Sequence, residues 1–231
     1  MFLGVLMAFD IILFAALAVY VGIKLFNSLG NKDYDDQIKP SSHTTGNNVV
    51  QFPEGLKQHV TDVKFEEVTE NYAELEKKHG PEIASQIKKI RRLDPSFTES
   101  SFLTGASKAF EIILEAFAND DKLTLRKLLS KDLYNSFTDE IENRKKSGTT
   151  YENTLVSILA SNIKSIALER KYAKIVVEIV SEQINLIRDK KGDIVDGNPS
   201  TVNKISELWT FARNLSSSNP NWELVATGDS N

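Results

Sequence analysis

Histidine and carboxylate side chains are the groups in this chain that could carry acid–base chemistry. All three histidines, His43, His59 and His79, precede the segment in which we predict the folded domain, so a histidine-based site inside that domain is excluded. A metal site built on two histidines is not expected either. The candidate carboxylates are Glu111, Glu115, Glu182 and Glu207.

The spacing of these carboxylates favours structural roles over catalysis. Glu111 and Glu115 stand one helical turn apart, as pairs on a solvated helix face commonly do. Glu182 and Glu207 fall in predicted strands, where they fit either a buried polar network or a general base. We expect the structural role for both pairs.

The composition excludes several other classes of site. The chain has 231 residues, no cysteine and a net charge of -4, so it has no disulfide, no thiolate metal site and no general attraction to nucleic acid. No glycine-rich phosphate loop is present. We therefore predict a non-catalytic protein without a cofactor, a metal site or a nucleic-acid partner. The alternative is a small-molecule binder or enzyme that uses a cavity in the domain.

The N-terminal segment, residues 1–27, predicts a membrane anchor. The run from Ile11 to Phe26 carries one charge, Lys24, and spans about 24 Å as a helix, so flanking residues must help to cross a core of about 30 Å. The alternative is a cleaved signal peptide, but no Lys or Arg precedes the run. The anchor residues are Ile11, Leu13, Phe14, Leu17, Val19, Val21 and Ile23.

The charges beside this run indicate its orientation. Lys24, Lys32 and Lys39 all lie on its C-terminal side, which favours a single-pass protein of a bacterial inner membrane with its main domain in the cytoplasm. A periplasmic domain is the alternative. Residues 28–55 are rich in Gly, Pro, Ser and Asn and predict a flexible linker.

Residues 56–94 predict an amphipathic helical segment that is punctuated by Gly80 and Pro81. One face carries three isoleucines and the end of the segment carries four bases, a combination that suits anionic lipid or an acidic partner. The alternative is a solvated helix whose isoleucines pack on the domain. The candidate lipid- or partner-binding residues are Ile83, Ile87, Ile90, Lys88, Lys89, Arg91 and Arg92.

Residues 95–231 predict an α+β domain with helices packed on one face of a long-stranded antiparallel sheet. Thr98 caps a helix whose apolar side chains recur every three or four residues, and Ser130 begins a later helix that ends at Gly148. Alternating Val and Ile residues then predict long strands, with a tight turn between Glu169 and Tyr172. The predicted stripe of the first helix is Phe102, Ala106, Phe110, Ile113, Leu114 and Phe117.

An ordered set of short motifs resembles the Tim-forty-four-like (Tim44-like) domain family, which includes the subunit that tethers the import motor to the mitochondrial inner-membrane translocase and membrane-anchored alphaproteobacterial relatives. The matching residues are Phe102-Leu103, Gly105-Ala106, Ala109-Phe110-Glu111, Ala116-Phe117, Leu128-Leu129-Ser130, Tyr134, Ser181-Glu182-Gln183, Trp209, Phe211, Asn221-Trp222 and Leu224.

This resemblance implies a cone-shaped fold, similar to nuclear-transport-factor-two-like or cystatin-like domains, that serves as a non-catalytic scaffold. The expected partners are an anionic phospholipid membrane and a membrane or translocating protein, in protein translocation or membrane-protein biogenesis. The chain differs from the mitochondrial protein because it has a predicted spanning anchor and lacks the long chaperone-recruiting region.

Overall fold

Four helices begin at polar side chains that cap them in the computed structural model, which describes residues 71–230. Asn71, Thr98, Asp121 and Ser130 each accept a hydrogen bond from a backbone N–H of the first turn, and Gly148 ends the last helix at a φ of 70°. The cap at Thr98 and the limits at Ser130 and Gly148 confirm the prediction. The helices are α1 (Tyr72–Leu93), α2 (Glu99–Ala118), α3 (Lys122–Leu128) and α4 (Lys131–Ser147).

Five strands follow and form one antiparallel sheet in the order β1-β2-β4-β5, with β3 pairing on β2. The β1–β2 hairpin reverses at Arg170 and Lys171, where the tight turn is predicted. The register between β1 and β2 shifts at three points, and each shift leaves one extra residue on β1. Two of these extra residues are Val156 and Leu159. The strands are β1 (Thr150–Glu169), β2 (Tyr172–Arg188), β3 (Ile194–Gly197), β4 (Asn203–Asn214) and β5 (Glu223–Asp229).

The helices cover one face of the sheet, hereafter the inner face, and the predicted stripe of α2 is buried there in full. The Phe110 ring meets Trp209 of β4 edge-on at 4.7 Å, and Phe102 meets Phe211 at 6.0 Å. On β2, Ile175 is also fully buried. The architecture therefore confirms the predicted α+β class with an antiparallel sheet.

Helix α1 shares this core, although we predicted residues 56–94 separately from the domain 95–231. Leu75, Ala84, Ile87 and Ile90 belong to the same buried cluster as the stripe of α2. The predicted anchor, the linker and the first part of the helical segment lie outside the described residues. Within residues 71–230, no helix is both long enough and apolar enough to cross a bilayer.

The contact between α2 and β4 should dominate the stability of the domain. Because Phe110 is fully buried against Trp209, Phe110→Ala should lower the free energy of unfolding by about 3–5 kcal/mol. Leu123→Ala is the control, because Leu123 is 74% exposed and its truncation should change that free energy by at most about 0.5 kcal/mol. Urea denaturation measures both, and equal losses would contradict the packing described.

Candidate functional site

Helix α1, which carries the predicted binding residues, bends sharply at Gly80. This residue has φ 81° and ψ 169°, and Pro81 follows it. In a straight helix, the Cα atoms of Tyr72 and Lys88 would lie about 24 Å apart. The Lys88 ammonium instead lies 5.0 Å from the centre of the Tyr72 ring, which a straight helix does not allow. The residues before Gly80 therefore turn back toward the second half of the helix.

The basic residues of α1 divide into exposed and engaged side chains. Lys88, Lys89 and Arg92 are exposed to solvent. Arg91 is partly buried, and its Nε donates a hydrogen bond of 3.0 Å to the backbone oxygen of Phe97. Arg91 therefore holds the connection between α1 and α2. The Lys88 ammonium lies against the Tyr72 ring although the residue is exposed, and Lys89 and Arg92 provide the remaining charge of this end of the helix.

Two of the three isoleucines of α1 do not lie on the surface as the sequence suggested. Ile87 and Ile90 are fully buried in the core, and Ile83 packs against it partly buried. Removal of Ile87 and Ile90 from water stabilises the fold, so these two side chains are not offered to lipid or to a partner. The spacing of the isoleucines indicated an apolar face on this helix. In the structure, that face packs on the core of the same domain.

One histidine lies inside the folded unit, contrary to the expectation that all three precede it. The ring Nε2 of His79 lies 2.7 Å from Oε1 of Glu99, and the side chains are 6% and 5% exposed. Lys78 donates to the same carboxylate oxygen at 2.7 Å. The cluster connects the residues just before the bend of α1 with the first residue of α2. Its role is therefore structural.

The four candidate carboxylates lie in three different environments. Glu111 accepts a hydrogen bond of 2.7 Å from Lys108 on the surface of α2, and Glu115 is exposed. Glu182 accepts from the Ser157 hydroxyl at 2.8 Å, and its two chain neighbours are buried, so it points away from the helices. Of the four, Glu207 lies in the strand register that faces the core.

A cluster of polar side chains surrounds Glu207 on the inner face of the sheet. Gln183 donates from Nε2 to Glu207 at 3.2 Å and to the Ser181 hydroxyl at 2.8 Å, while the Trp209 indole lies 3.4 Å from the same carboxyl group. Asn153 donates to Gln183 at 2.7 Å. Sequence reasoning proposed a polar network for Glu207 but missed these partners, which the inward register of β1, β2 and β4 brings together.

The environment of Glu207 favours its neutral form. Burial raises its pKa above the ordinary value, and the charge of Asp229, its cross-strand neighbour, acts in the same direction. The hydrogen bonds from Trp209 and Gln183 oppose this shift more weakly. The cluster is thus a hydrogen-bonded network that satisfies buried polar groups.

The rest of the inner face is filled by aromatic and aliphatic side chains. Phe110, Phe117, Trp209 and Phe211 occupy the space between α2 and the sheet. A groove of about 610 Å³ lies elsewhere, between Lys78 of α1 and the exposed side of α2. Among residues 71–230, no group of three or more His, Cys, Asp or Glu side chains has an arrangement that could hold a metal ion.

Comparison with known proteins identifies a family model, described as the Tim44-like domain, that matches residues 83–229. The chain is 26% identical over 128 residues to the mitochondrial import inner membrane translocase subunit TIM44-1 of Arabidopsis thaliana. That alignment covers 55% of this chain and only 27% of the plant protein. Most of the plant subunit therefore has no counterpart in the match.

Two further proteins are similar to this chain, over different shares of its length. The uncharacterized protein RP434 of Rickettsia prowazekii is 24% identical over 227 residues, which cover 93% of this chain and 94% of that protein. The crystal structure of the intermembrane space region of the chloroplast protein ARC6 covers 58% of this chain and 98% of its own, at 17% identity and a TM-score of 0.42. This score is too low to assign a finer fold, so the nuclear-transport-factor-two-like cone stays a prediction.

Glu207 should make the stability of the domain depend on pH. Its pKa is raised in the folded state above 4.5, so unfolding releases a proton from this group as the pH rises through 4.5 and beyond. The free energy of unfolding should therefore fall with rising pH until the folded pKa is passed. Glu207→Gln removes this titration, and its stability relative to the native chain should increase from about pH 4 to about pH 7. Urea denaturation across this range measures the difference, and a constant difference would contradict the assignment.

Proposed function

The chain belongs to the Tim44-like domain family, and from this premise we propose that it is a membrane-anchored, non-catalytic scaffold that binds protein partners and anionic lipid at a bacterial inner membrane. The process would be protein translocation or membrane-protein biogenesis. The mitochondrial relatives are named as subunits of an inner-membrane translocase. The Rickettsia relative, which matches nearly the full length, supports a bacterial setting.

The observation that carries the proposal is the positive charge at the C-terminal end of α1. Its apolar face is buried in the core, and Lys88, Lys89 and Arg92 remain exposed on the other side. A helix of this kind cannot lie in a bilayer through its isoleucines. It can attract an anionic headgroup or an acidic protein surface, at about 1 kcal/mol per base near an anionic membrane.

The predicted anchor and linker would keep this surface close to the membrane. Residues 28–55 would have a root-mean-square reach of about 30 Å as a flexible chain. This distance is comparable to the thickness of the hydrocarbon core. The domain would therefore stay close to headgroups and membrane-bound partners. This proximity raises the effective concentration of its binding surface at the membrane and so favours weak contacts.

The scaffold role does not extend to every activity of the mitochondrial subunits. The alignments cover 27% of the plant subunit and 32% of the rat subunit, so the chain lacks a match to most of each protein. We therefore limit the proposal to the functions that one folded domain can provide, namely binding and positioning.

Photocrosslinking tests the protein partner directly. A photoreactive residue at Lys89 or Arg92, in the full chain in native membranes, should give specific adducts with a membrane or translocating protein, because both side chains are exposed. Mass spectrometry identifies the adducts. The same residue at Lys131, exposed on α4, is the control. Identical adducts from both positions would contradict a partner surface on α1.

Charge neutralisation tests the lipid contact. With the full chain inserted in phosphatidylglycerol-containing vesicles, Lys88→Gln, Lys89→Gln and Arg92→Gln together should weaken docking of the folded domain onto the vesicle surface by about two orders of magnitude at low salt. Arg91 is left intact because it holds Phe97. The matched control removes Lys127, Lys131 and Lys146, three exposed lysines of α3 and α4, by the same change. Equal weakening by both triple variants would attribute docking to net charge alone.

A further inference from the structure

The β1–β2 turn places two more bases at the end of the sheet where α1 stops. Arg170 and Lys171 form this two-residue turn, and both are exposed. Neither residue was among the binding candidates from the sequence, because the turn is separated from α1 by more than 70 residues. The turn is the point at which two long strands, of 20 and 17 residues, reverse.

A chain of contacts connects this turn to the end of α1. Asp94, the C-cap of α1, forms an ion pair of 2.9 Å with Arg213 of β4. Arg213 is the register partner of Ala173, two residues after Lys171. The backbone N–H of Leu215 then donates to the backbone oxygen of Lys171 at 2.8 Å. The end of α1 and the turn therefore lie at one end of the domain, which we call the basic tip.

The charge of this end is predominantly positive. Residues 88–94, 169–174 and 213–223 contain eight basic and three acidic side chains. Asp94 and Arg213 neutralise each other, which leaves seven bases against two acids. The loop 215–222 contains neither acid nor base and consists mainly of Ser and Asn. A surface of this sign is complementary to an anionic membrane.

Two apolar side chains accompany the bases of the tip. Leu93, at the end of α1, is 39% exposed, and Tyr172, directly after the turn, is 40% exposed. Basic residues mixed with exposed Leu and Tyr are typical of surfaces that lie at the headgroup level of a bilayer. This combination favours a lipid surface over an acidic protein, for which the charges alone would suffice.

We propose that the basic tip, formed by Lys89, Arg92, Arg170 and Lys171 with Leu93 and Tyr172, docks the domain end-on to an anionic bilayer. This inference rests on the proposed function and deepens it, because it adds the β-hairpin turn to the surface of α1 and sets the orientation of the domain. The strands then point toward the membrane, and the turn at Lys190 and Lys191, at the other end of β2, points away from it.

The backbone at Arg170 supports a role for its side chain. This residue has a φ of 57°, in the left-handed region that residues other than glycine and asparagine seldom adopt. Glycine is the usual choice for such a turn position. An arginine held in this conformation lowers stability, and strained residues of this kind cluster at binding sites. Membrane docking gives a reason for the guanidinium at this position.

Site-specific fluorescence tests the orientation. The chain has no cysteine, so Ser218→Cys in the loop of the tip and Ser200→Cys near the opposite end can each carry a single nitrobenzoxadiazole label. With the full chain in phosphatidylcholine vesicles that contain phosphatidylglycerol, the Ser218 label should shift to the blue and be quenched by brominated lipid, and salt should reverse this. The Ser200 label should stay in water. Equal responses of both labels would overturn the end-on orientation.

Charge removal at the two turns of β2 provides a matched comparison. Arg170→Gln with Lys171→Gln should weaken docking about fivefold per charge, so roughly 25-fold together. Lys190→Gln with Lys191→Gln removes the same charge from the opposite turn and should have little effect. Equal effects of the two pairs would overturn the inference. If the α1 triple variant alone weakens docking, the proposed function stands without the tip; if neither weakens it, both lipid proposals fail.

Arg170→Gly separates a structural role of the turn from a binding role. Because glycine adopts the observed φ without strain, this variant should raise the Tm of the full chain while weakening docking about fivefold. Arg170→Lys is the rescue control, which keeps the charge and the strain and should dock like the native chain. A more stable glycine variant with unchanged docking would contradict the assignment of Arg170.

Discussion

Coverage of the inner sheet face by the apolar stripe of α2 is the packing interaction on which the other features of this domain depend. Val177 and Ile179 of β2 are fully buried on that face, together with Phe110 of the helix. Burial of each such side chain contributes about 1.5–3 kcal/mol relative to exposure, so the uncovered sheet would not persist alone. Because the helices occupy this face, the sheet ends, the outer face and the helix surfaces are what remain for partners.

The bend at Gly80 divides α1 into two parts that both contact the rest of the domain. The second half of the helix inserts Ile87 and Ile90 into the core, while Lys78 and His79, just before the bend, contact the Glu99 carboxylate at the start of α2. A buried carboxylate is tolerated there because the Lys78 ammonium, the His79 ring and the helix N-terminus surround it. Fixing both halves of α1 leaves its bases on a rigid surface.

Sequence periodicity predicted the elements with a strong repeat and a clear cap, and it failed where the outcome depended on tertiary contacts. The stripe of α2, the Thr98 cap and the β1–β2 turn follow from local chemistry and were found as predicted. Short β3 was not foreseen, since its four residues have no distinctive pattern. Whether Glu182 or Glu207 faces the core depends on strand register, which a single residue of slippage reverses.

The candidate binding surface could be predicted only in part, because its composition also depends on tertiary contacts. A run of four bases, interrupted by Ile90, follows Ile83 and Ile87 in the sequence. The sequence does not show which of these side chains are buried in the core, or that Arg91 donates a hydrogen bond to the Phe97 carbonyl. Arg170 and Lys171 join that run in space through Asp94 and Arg213, a contact across 119 positions of the chain. Such long-range pairs leave no periodic trace in a single sequence.

The aromatic cluster beneath the basic tip determines how effectively its charges can act. Trp222 packs edge-on against Phe102 at 5.0 Å, and the Arg213 guanidinium lies 6.0 Å from the Trp222 ring while it binds Asp94. These contacts fix the ends of α1 and β4 relative to each other before any partner arrives. Docking of a preorganised surface loses less conformational entropy than docking of mobile side chains and loops. In the proposed end-on docking, a few bases on such a preorganised surface would therefore suffice for reversible attachment.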